Sequence, residues 1–134
     1  MKTLVAEDNF SSRLLLKAIL GKHGPCDAAA NGSEAVEFLR AAIERREPYD
    51  LVCLDIMMPE MDGVQVLRQL RRLESSPDPG EFHPPRPARV IMTSAAGEVQ
   101  NVLAARSAGC DHFLVKPINS QLLMEHLRTF GLIE

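Results

Sequence analysis

Short apolar runs alternate with longer amphipathic segments along the whole chain. The runs are four or five residues long: Thr3–Ala6, Cys26–Ala30, Asp50–Leu54, Arg89–Met92 and His112–Val115. The second run is the weakest, because three of its residues are alanine. Residues that are apolar at consecutive positions over such short stretches are typical of strands buried on both faces of a parallel sheet.

Each apolar run is followed by a segment whose apolar residues recur every three or four positions, which predicts an amphipathic helix. The predicted helices are Ser11–Lys22, Ser33–Arg46, Gly63–Leu73, Glu98–Ala108 and Ser120–Phe130. In the first of them, the apolar residues at helical spacing are Leu14, Leu15, Ala18 and Ile19. Ser33 directly follows an Asn-Gly pair and is the predicted N-cap of the second helix.

Strands that alternate with helices predict an α/β fold with a parallel sheet and right-handed crossovers. One stretch departs from this pattern. Ser75–Pro87 contains five of the nine prolines and is predicted to be a stiff, extended loop between the third helix and the fourth strand. The alternation resumes at once after it, so we do not expect a domain boundary there. In such sheets ligands bind beyond the carboxyl ends of the strands.

Length and charge exclude several classes of protein. A chain of 134 residues corresponds to one domain of ordinary size. No apolar run approaches the roughly 20 residues that a membrane span needs. The N-terminus turns acidic at Glu7, too early for a secretory signal, so we expect a cytoplasmic protein. The net charge of −3 does not favour nucleic-acid binding, and neither direct nucleic-acid binding nor membrane insertion is expected.

The cysteines and histidines offer no predicted chemistry of their own. Cys26, Cys53 and Cys110 are odd in number and far apart, so neither a disulfide nor a zinc site is predicted. Cys53 lies in an apolar run and is expected to be a small core residue. The histidines are scattered along the sequence and receive no ligand role: His23, His83, His112 and His126.

Acidic, hydroxyl and basic residues stand where four of the predicted strands end. They are Glu7 and Asp8 after the first strand, Asp55 after the third, Thr93 and Ser94 after the fourth, and Lys116 after the fifth. In a parallel sheet these positions meet at one edge, although they are far apart in the sequence. The sequence therefore predicts one compact site that combines carboxylates, hydroxyl groups and an ammonium group.

The chemistry of such a site follows from its charges. Three carboxylates close together repel one another and need a cation to neutralise them. Hard oxygen ligands of this kind suit Mg²⁺ or Mn²⁺. A lysine beside the metal is explained if a phosphoryl dianion arrives, because both cations then balance its oxygens. A carboxylate is also a competent nucleophile, so the residues indicate phosphoryl transfer onto an aspartate.

These residues resemble the receiver domain of two-component response regulators, in particular single-domain receivers of the chemotaxis type. The matching motifs are Glu7-Asp8, the segment Asp55–Gly63, Thr93-Ser94-Ala95 and Lys116-Pro117. Each motif is weak alone, but together and in this order they are specific, and the resemblance covers essentially the whole chain. It implies a flavodoxin-like, doubly wound sheet of five parallel strands in the order 2-1-3-4-5 with five helices. It also implies one receiver domain over residues 1–134, with a long Pro-rich loop at 75–87.

The resemblance implies a role for each residue of the site. Asp55 would accept a phosphoryl group from a phosphohistidine on a sensor histidine kinase or a histidine phosphotransfer protein. Glu7 and Asp8 would hold Mg²⁺ together with this aspartate, partly through waters, and Mn²⁺ could take its place. The backbone carbonyl of Met57 would be a further metal ligand. Lys116 would bind a phosphoryl oxygen.

The same resemblance implies a conformational switch. Thr93 would move to hydrogen-bond the phosphoryl group, and Phe113 would turn inward from the aromatic switch position. The face formed by the fourth helix, the fifth strand and the fifth helix would then bind a downstream protein. The family often has tyrosine where Phe113 stands, so this chain can report the switch only through packing.

On this interpretation the chain is a phosphoacceptor that catalyses its own phosphorylation, and not an enzyme that turns over a free substrate. Met57 and Ala95 follow Asp55 and Thr93 by two positions, and neither has a group able to orient a water. We therefore expect slow autodephosphorylation. The sequence identifies neither the cognate kinase nor the downstream target.

Other interpretations fit the residues less well. An aspartate-nucleophile phosphatase needs a second aspartate where Met57 stands. A flavodoxin-like cofactor carrier would have its phosphate repelled by Glu7-Asp8. A pseudo-receiver, an interaction module that is never phosphorylated, usually lacks one of the motif residues, and none is missing here. A receiver cut from a larger response regulator or hybrid kinase stays open, although Gly131–Glu134 after the last helix favours a complete single-domain regulator.

Overall fold

The computed structural model contains one sheet of five parallel strands in the spatial order β2-β1-β3-β4-β5. It describes residues 1–75, 82–95 and 99–134. The strands are β1 (Thr3–Ala6), β2 (Cys26–Ala29), β3 (Leu51–Asp55), β4 (Arg89–Ser94) and β5 (His112–Val115). The predicted fold class, a doubly wound α/β sheet in the order 2-1-3-4-5, is confirmed.

Helices follow each strand. They are α1 (Phe10–Leu20), α2 (Gly32–Glu44), α3 (Gly63–Glu74), α4 (Val99–Ala108) and α5 (Ser120–Thr129). A short 3-10 turn, Gly21–His23, extends α1. The predicted boundaries differ from these by at most two residues, and Glu98, the predicted start of α4, lies outside the described residues. Within the described ranges, no helix combines the length and the apolar character that crossing a membrane requires.

The helices form one layer on each face of the sheet. The buried residues that α1 and α5 contribute to one face are Leu16, Leu20, Leu123 and Leu127. The other face is covered by α2, α3 and α4, whose most deeply buried residues are Ala35, Leu39, Val66, Leu67 and Ala105. Successive strand residues enter the two cores in turn, which explains why the strands are apolar at consecutive positions.

The apolar stripe predicted for α1 is not the one that packs on the sheet. Leu14 and Leu15 are 58% and 53% exposed, whereas Leu16 and Leu20 are buried. Of the other predicted residues, Ala18 is exposed and Ile19 is only partly buried. Three consecutive leucines fit more than one helical stripe, so the sequence did not decide which of them faces the core.

Asparagine or aspartate caps the helices whose N-termini are described in full, at Asn9, Asn31, Asp62 and Asn119. The prediction that Ser33 caps α2 is therefore wrong. Asn31 Oδ1 accepts a 2.8 Å hydrogen bond from the Glu34 amide, and the helix begins at Gly32. An asparagine side chain caps as well as a serine hydroxyl, and here it reaches the third residue of the first turn.

Two of the histidines, expected to be scattered, lie together between β5 and α5. The rings of His112 and His126 stack with their centroids 3.9 Å apart, and the His112 ring is 5.3 Å from the ring of Phe130. The Arg89 guanidinium lies 5.2 Å from the Phe130 ring centroid. Because His126 and Phe130 are four residues apart, they share one face of α5 opposite the start of β5.

The predicted Pro-rich loop is closed at its base by hydrogen bonds between α3 and the start of β4. Glu74 Oε2 accepts a 2.6 Å hydrogen bond from the Ala88 amide. Arg71 Nη1 donates a 2.9 Å hydrogen bond to the Ala88 carbonyl. Residues 76–81 of this loop lie outside the described residues.

The cysteines are free thiols, and Cys53 is buried in the core as predicted. Burial raises the pKa of Cys53 to about 12, because the thiolate would lose its hydration. This thiol is therefore protonated at neutral pH and behaves as a small apolar core residue.

Candidate functional site

The carboxyl ends of the strands bring the predicted site residues to one edge of the sheet. Asp55, the last residue of β3, pairs in register with Thr93 of β4. Glu7 directly follows β1, and Lys116 directly follows β5. Residues that are far apart in the sequence thus become neighbours, as the order of strands and helices predicts.

Three carboxylates form the centre of the site. Their ligand oxygens, one each from Glu7, Asp8 and Asp55, all lie within 4.8 Å of one another. Glu7 is fully buried, Asp55 is 5% exposed, and Asp8 is exposed. In the described part of the chain, no other group of three acidic, histidine or cysteine side chains is close enough to hold a metal ion. Carboxylate oxygens suit Mg²⁺ and Mn²⁺.

Lys116 forms ion pairs with two of these carboxylates and offsets one of their two negative charges. Its Nζ donates a 3.0 Å hydrogen bond to Asp55 Oδ2 and forms an ion pair of 2.8 Å with Glu7 Oε2. Partial burial alone lowers the pKa of the Lys116 ammonium, but the two carboxylates outweigh it and raise the pKa above its usual value. The side chain is therefore a permanent cation beside Asp55 at neutral pH.

Glu7 is a buried carboxylate whose charge is only partly compensated. Burial raises the pKa of Glu7, and the nearby Asp55 raises it further, against the lowering effect of Lys116. Its Oε1 accepts a 3.1 Å hydrogen bond from the Asn9 amide. Its Oε2 has the ion pair but no hydrogen bond of suitable geometry to any described residue. Buried polar atoms are normally hydrogen-bonded, so this oxygen, whose one contact is the ion pair, has capacity left for a ligand.

Thr93 supplies a second buried oxygen of this kind. The residue is 2% exposed, and its hydroxyl makes no hydrogen bond within the described ranges. Only three buried side-chain oxygens of the described residues lack a hydrogen bond, and two of them belong to Glu7 and Thr93. Both residues neighbour Asp55, so the site fits a metal cation together with an anionic group that accepts a hydrogen bond.

The loop after β3 fixes the position of Asp55. The Met57 amide donates a 3.2 Å hydrogen bond to Asp55 Oδ1. A Cβ atom at Gly63 would collide with the Asp55 carbonyl and lie 2.9 Å from Met92 Cε, so glycine alone lets α3 begin this close to β3. The Met57 side chain is 57% exposed. The role of its carbonyl as a metal ligand stays a prediction.

Phe113 lies apart from the carboxylates, on the adjoining part of β5. Its ring is partly buried and packs against the core between the sheet and the layer of α2, α3 and α4. In register, Phe113 pairs with Met92, the residue before Thr93. The ring therefore stands one strand position away from the unpartnered hydroxyl, and its part in a switch stays a prediction.

The contribution of Arg13 was not predicted from the sequence. Its Nη1 donates hydrogen bonds of 2.9 Å to the Glu7 carbonyl and 3.4 Å to the Asp8 carbonyl. Side chains in the first turn of a helix lean towards its N-terminus, so the position four residues after Asn9 could have indicated this contact. An arginine on a helix surface is usually solvated, and the spacing alone did not distinguish it.

The site combines the parts that phosphoryl transfer to a carboxylate requires. Asp55 offers a nucleophilic oxygen, and Lys116 offers a positive charge for the incoming anion. Glu7 and Asp8 offer further oxygen ligands for a divalent cation. Thr93 offers a hydroxyl donor that the described residues do not occupy.

Comparisons with known proteins agree with this arrangement. A family model of the response regulator receiver domain matches residues 3–128. The chain is 34% identical over 126 residues to the chemotaxis protein CheY of Bacillus subtilis, a match that covers 92% of each chain. It is 35% identical over 119 residues to the transcriptional regulatory protein ResD of the same bacterium, covering 88% of this chain but 42% of ResD.

A solved structure supports the same arrangement of elements. The receiver domain of the histidine kinase CKI1 from Arabidopsis thaliana, complexed with Mg²⁺ and BeF₃⁻, superposes with a TM-score of 0.80. The superposition covers 97% of this chain and 89% of that one, at 28% identity. The two chains thus share the fold over the superposed part.

Proposed function

Since the chain belongs to the response regulator receiver domain family, we propose that it accepts a phosphoryl group on Asp55 and thereby switches a protein-binding surface. The donor is a phosphohistidine on a sensor histidine kinase or a histidine phosphotransfer protein. The observation that carries the proposal is the position of the Asp55 carboxylate, which accepts a hydrogen bond from the Lys116 ammonium and has an oxygen within 4.8 Å of those of the two acidic residues after β1. On this proposal, residues 1–134 form one receiver domain.

The proposed reaction is a transfer of the phosphoryl group from nitrogen to oxygen. An Asp55 carboxylate oxygen attacks phosphorus, a P–O bond forms, and the P–N bond to the donor imidazole breaks. The imidazole nitrogen keeps the bonding electron pair and is protonated from solvent. The product is an aspartyl phosphate, and the chain promotes this step on itself rather than on a free substrate.

The residues that would hold Mg²⁺, or Mn²⁺ in its place, are Glu7, Asp8, Asp55 and the backbone carbonyl of Met57. They fit the ion because they are hard oxygen ligands and because one oxygen of Glu7 is buried without a hydrogen bond. When bound, the ion would supply positive charge for the phosphoryl oxygens. The receiver domain of CKI1 is complexed with Mg²⁺ and BeF₃⁻ in its solved structure.

Lys116 and Thr93 complete the binding of the phosphoryl group. Lys116, already 3.0 Å from Asp55 Oδ2, transfers its hydrogen bond to a phosphoryl oxygen. The unpartnered Thr93 hydroxyl donates a hydrogen bond to a second one. Because Thr93 neighbours Asp55 in register, a small movement of β4 brings the two groups together.

The movement of Thr93 is the proposed origin of the switch. Phe113 pairs with the residue before Thr93 and is only partly buried, and on this proposal it turns inward as the hydroxyl moves. The face formed by α4, β5 and α5 then changes shape and binds a downstream protein. This face exposes apolar side chains that a partner could cover, with Leu103 63% exposed and Val115 52% exposed.

The experiment that tests the proposal uses acetyl phosphate and BeF₃⁻ as phosphodonor and phosphoryl mimic. The protein and its Asp55→Asn variant are incubated with each reagent, with and without Mg²⁺. We expect a mass increase of one phosphoryl group and a ¹⁹F signal of bound BeF₃⁻ that both require Mg²⁺ and Asp55. No modification of the folded wild-type protein would contradict the proposal and favour a pseudo-receiver that acts through its surface alone.

A second candidate concerns the context of the domain rather than its chemistry. The match to ResD covers 42% of that protein, whereas the match to CheY covers 92% of that one. The alternative is therefore a receiver that belongs to a longer regulator or hybrid kinase. In that case the switched face contacts another domain, and the reaction at Asp55 is unchanged.

A further inference from the structure

Arg13 connects the first turn of α1 to the loop that carries two of the three carboxylates. We propose that Arg13 is a positioning residue for the metal site, which holds Glu7 and Asp8 so that their carboxylates face Asp55. This inference rests on the proposed function, since it takes the carboxylates to bind Mg²⁺. It adds to that function a residue that touches neither the ion nor the phosphoryl group.

Arg13 binds three successive backbone carbonyls. Its Nη1 donates to the carbonyls of Glu7 at 2.9 Å and Asp8 at 3.4 Å. Its backbone amide donates to the carbonyl of Asn9 at 2.9 Å. The Arg13 side chain thus fixes the orientation of the first two peptide groups, and its backbone amide makes the ordinary helical hydrogen bond to the third.

The fixed carbonyls determine where the carboxylates lie. The carbonyls of Glu7 and Asp8 are directed towards Arg13, while their carboxylates come within 4.8 Å of an Asp55 oxygen. Rotation of either peptide group would break a hydrogen bond to Arg13 and move a carboxylate away from Asp55. The backbone conformation and the position of the metal ligands are therefore coupled.

Asp8 depends most on this support. Its side chain is exposed, and among the described residues its carboxylate takes part in no hydrogen bond or ion pair. Glu7, by contrast, is held by the Asn9 amide and by Lys116. Because its carboxylate has no support of its own, Asp8 takes its position from the backbone that Arg13 holds.

The guanidinium is itself held in place. It lies 5.5 Å from the centroid of the Phe10 ring, at a cation–π distance, and Phe10 is 68% exposed. The arginine thus lies between an aromatic ring and the loop, and its two contacts restrict the rotamers of a long side chain. Both hydrogen bonds to the loop come from Nη1, and the guanidinium stays protonated at any pH at which the protein is folded.

If the Arg13 side chain is removed, its positive charge and its positioning role would change the affinity for Mg²⁺ in opposite directions. Arg13 carries a positive charge close to a cation site, so by Coulomb's law its removal strengthens Mg²⁺ binding. If Arg13 positions the ligands, its removal weakens Mg²⁺ binding instead. The direction of the change therefore separates the two effects.

The test compares Arg13→Met, Arg13→Lys and the matched control Lys17→Met, which removes a positive charge from an exposed position one turn further along α1. The Kd for Mg²⁺ is measured by calorimetry, and the unfolding midpoint of each variant is measured separately. For Arg13→Met we expect the Kd to rise about tenfold, as for the loss of other groups that orient metal ligands. Arg13→Lys, which keeps a charged donor, should give an intermediate Kd, and Lys17→Met should not weaken binding.

A merely structural role is excluded by the same measurements. If Arg13→Met lowers the unfolding midpoint but leaves the Mg²⁺ Kd of the folded protein unchanged or lower, the positioning role is overturned. Chemical shifts of the Asp8 and Asn9 amides add a local measurement, because they should change in Arg13→Met and stay in Lys17→Met. A wild-type protein that bound neither Mg²⁺ nor BeF₃⁻ would instead overturn the proposed function, and this inference with it.

Discussion

The Lys116 ammonium lies 3.0 Å from Oδ2 of Asp55, the carboxylate proposed to receive the phosphoryl group. Two opposite requirements meet in this contact. Before phosphorylation, the lysine neutralises a nearly buried carboxylate whose neighbours are also acidic. During phosphorylation, it has to release the carboxylate oxygen and bind the incoming anion. Lys116 therefore competes with a metal ion for the acidic group while it attracts the phosphoryl donor.

Replacement of this lysine should separate the two effects. In Lys116→Met we expect tighter Mg²⁺ binding, because a competing cation is lost, and phosphorylation by acetyl phosphate slower by about a hundredfold, a loss usual for one charged donor. Calorimetry gives the Mg²⁺ Kd, and mass spectrometry gives the rate. Lys22→Met, at an exposed position in the turn after α1, is the control and should change neither. Weaker Mg²⁺ binding in Lys116→Met would show that the lysine organises the carboxylates instead of competing for them.

Substitution of Gly63 tests whether the close approach of α3 to β3 holds Asp55 in position. A Cβ at this position would collide with the Asp55 carbonyl, so Gly63→Ala should lower the free energy of unfolding by about 1–3 kcal/mol and displace Asp55. Denaturant titration measures the first effect, and BeF₃⁻ binding measures the second. Gly21→Ala is a matched control, since nothing lies within 4 Å of its added Cβ and its φ is −64°. That variant should be neutral or more stable by about 0.4–1 kcal/mol.

We expect the Thr93 hydroxyl, which has no hydrogen bond within the described residues, to contribute to the switch and not to the stability of the fold. Valine has nearly the same shape and removes a buried oxygen that has no hydrogen bond, so Thr93→Val should leave the free energy of unfolding unchanged or raise it by about 1 kcal/mol. Addition of BeF₃⁻ should still modify Asp55 but no longer shift the ring signals of Phe113. A loss of stability would mean that the hydroxyl has a structural partner. An unchanged Phe113 response would disconnect the ring from Thr93.

Much of this arrangement could be predicted from the sequence, because it depends on periodicity and on topology. The five strands, their order and the meeting of Asp55 with Lys116 follow from alternating runs and from the family motifs. The features that could not be predicted depend on which side of a helix faces the core or on contacts between side chains. The consecutive leucines of α1 do not reveal their buried member, and Asn31 and Ser33 are both acceptable caps.

Two further contacts show the same limit. His112 and His126 are fourteen positions apart in the sequence, and only the packing of α5 on β5 stacks their rings. The hydrogen bonds from Arg13 to backbone carbonyls cannot be predicted from residue types, because every residue has a backbone carbonyl. The sequence therefore predicted which residues meet at the carboxyl edge of the sheet, but not those that hold the backbone beside it.

The histidine stack should make stability depend on pH. Burial lowers the pKa of His126, and the adjacent His112 lowers it further, against the raising effect of Glu125. The folded state thus binds a proton less readily than the unfolded state. Stability is full above the ordinary histidine pKa of about 6.5 and is lost as the pH falls from there through the lowered pKa of the folded state.

Denaturant titrations between pH 8 and pH 5 measure this effect. His126→Phe keeps a ring against His112 and Phe130 but cannot be protonated, so its stability should fall less over the same range. Asp111 and Arg89 also lie close to this stack, and the substitution keeps both members of their 3.2 Å ion pair. His23→Phe, at an exposed position, is the control and should keep the wild-type slope. Equal slopes for His126→Phe and the wild type would place the pH dependence elsewhere.

The lifetime of the aspartyl phosphate should be long, because the residues beside Asp55 do not activate water. Met57 is 57% exposed at the mouth of the site, and Ala95 follows β4 two positions after Thr93. Neither side chain has an oxygen or nitrogen that could orient a water for attack on phosphorus. Met57→Glu introduces such a group at the same position and should shorten the half-life by about tenfold or more, within the range of general acid–base assistance. Met57→Leu changes shape but adds no polar atom, so it should keep the wild-type half-life. Loss of ³²P label at neutral pH with Mg²⁺ gives the half-life of the aspartyl phosphate in all three proteins. A wild-type half-life of seconds would contradict the prediction and mean that a group other than these two side chains orients the water.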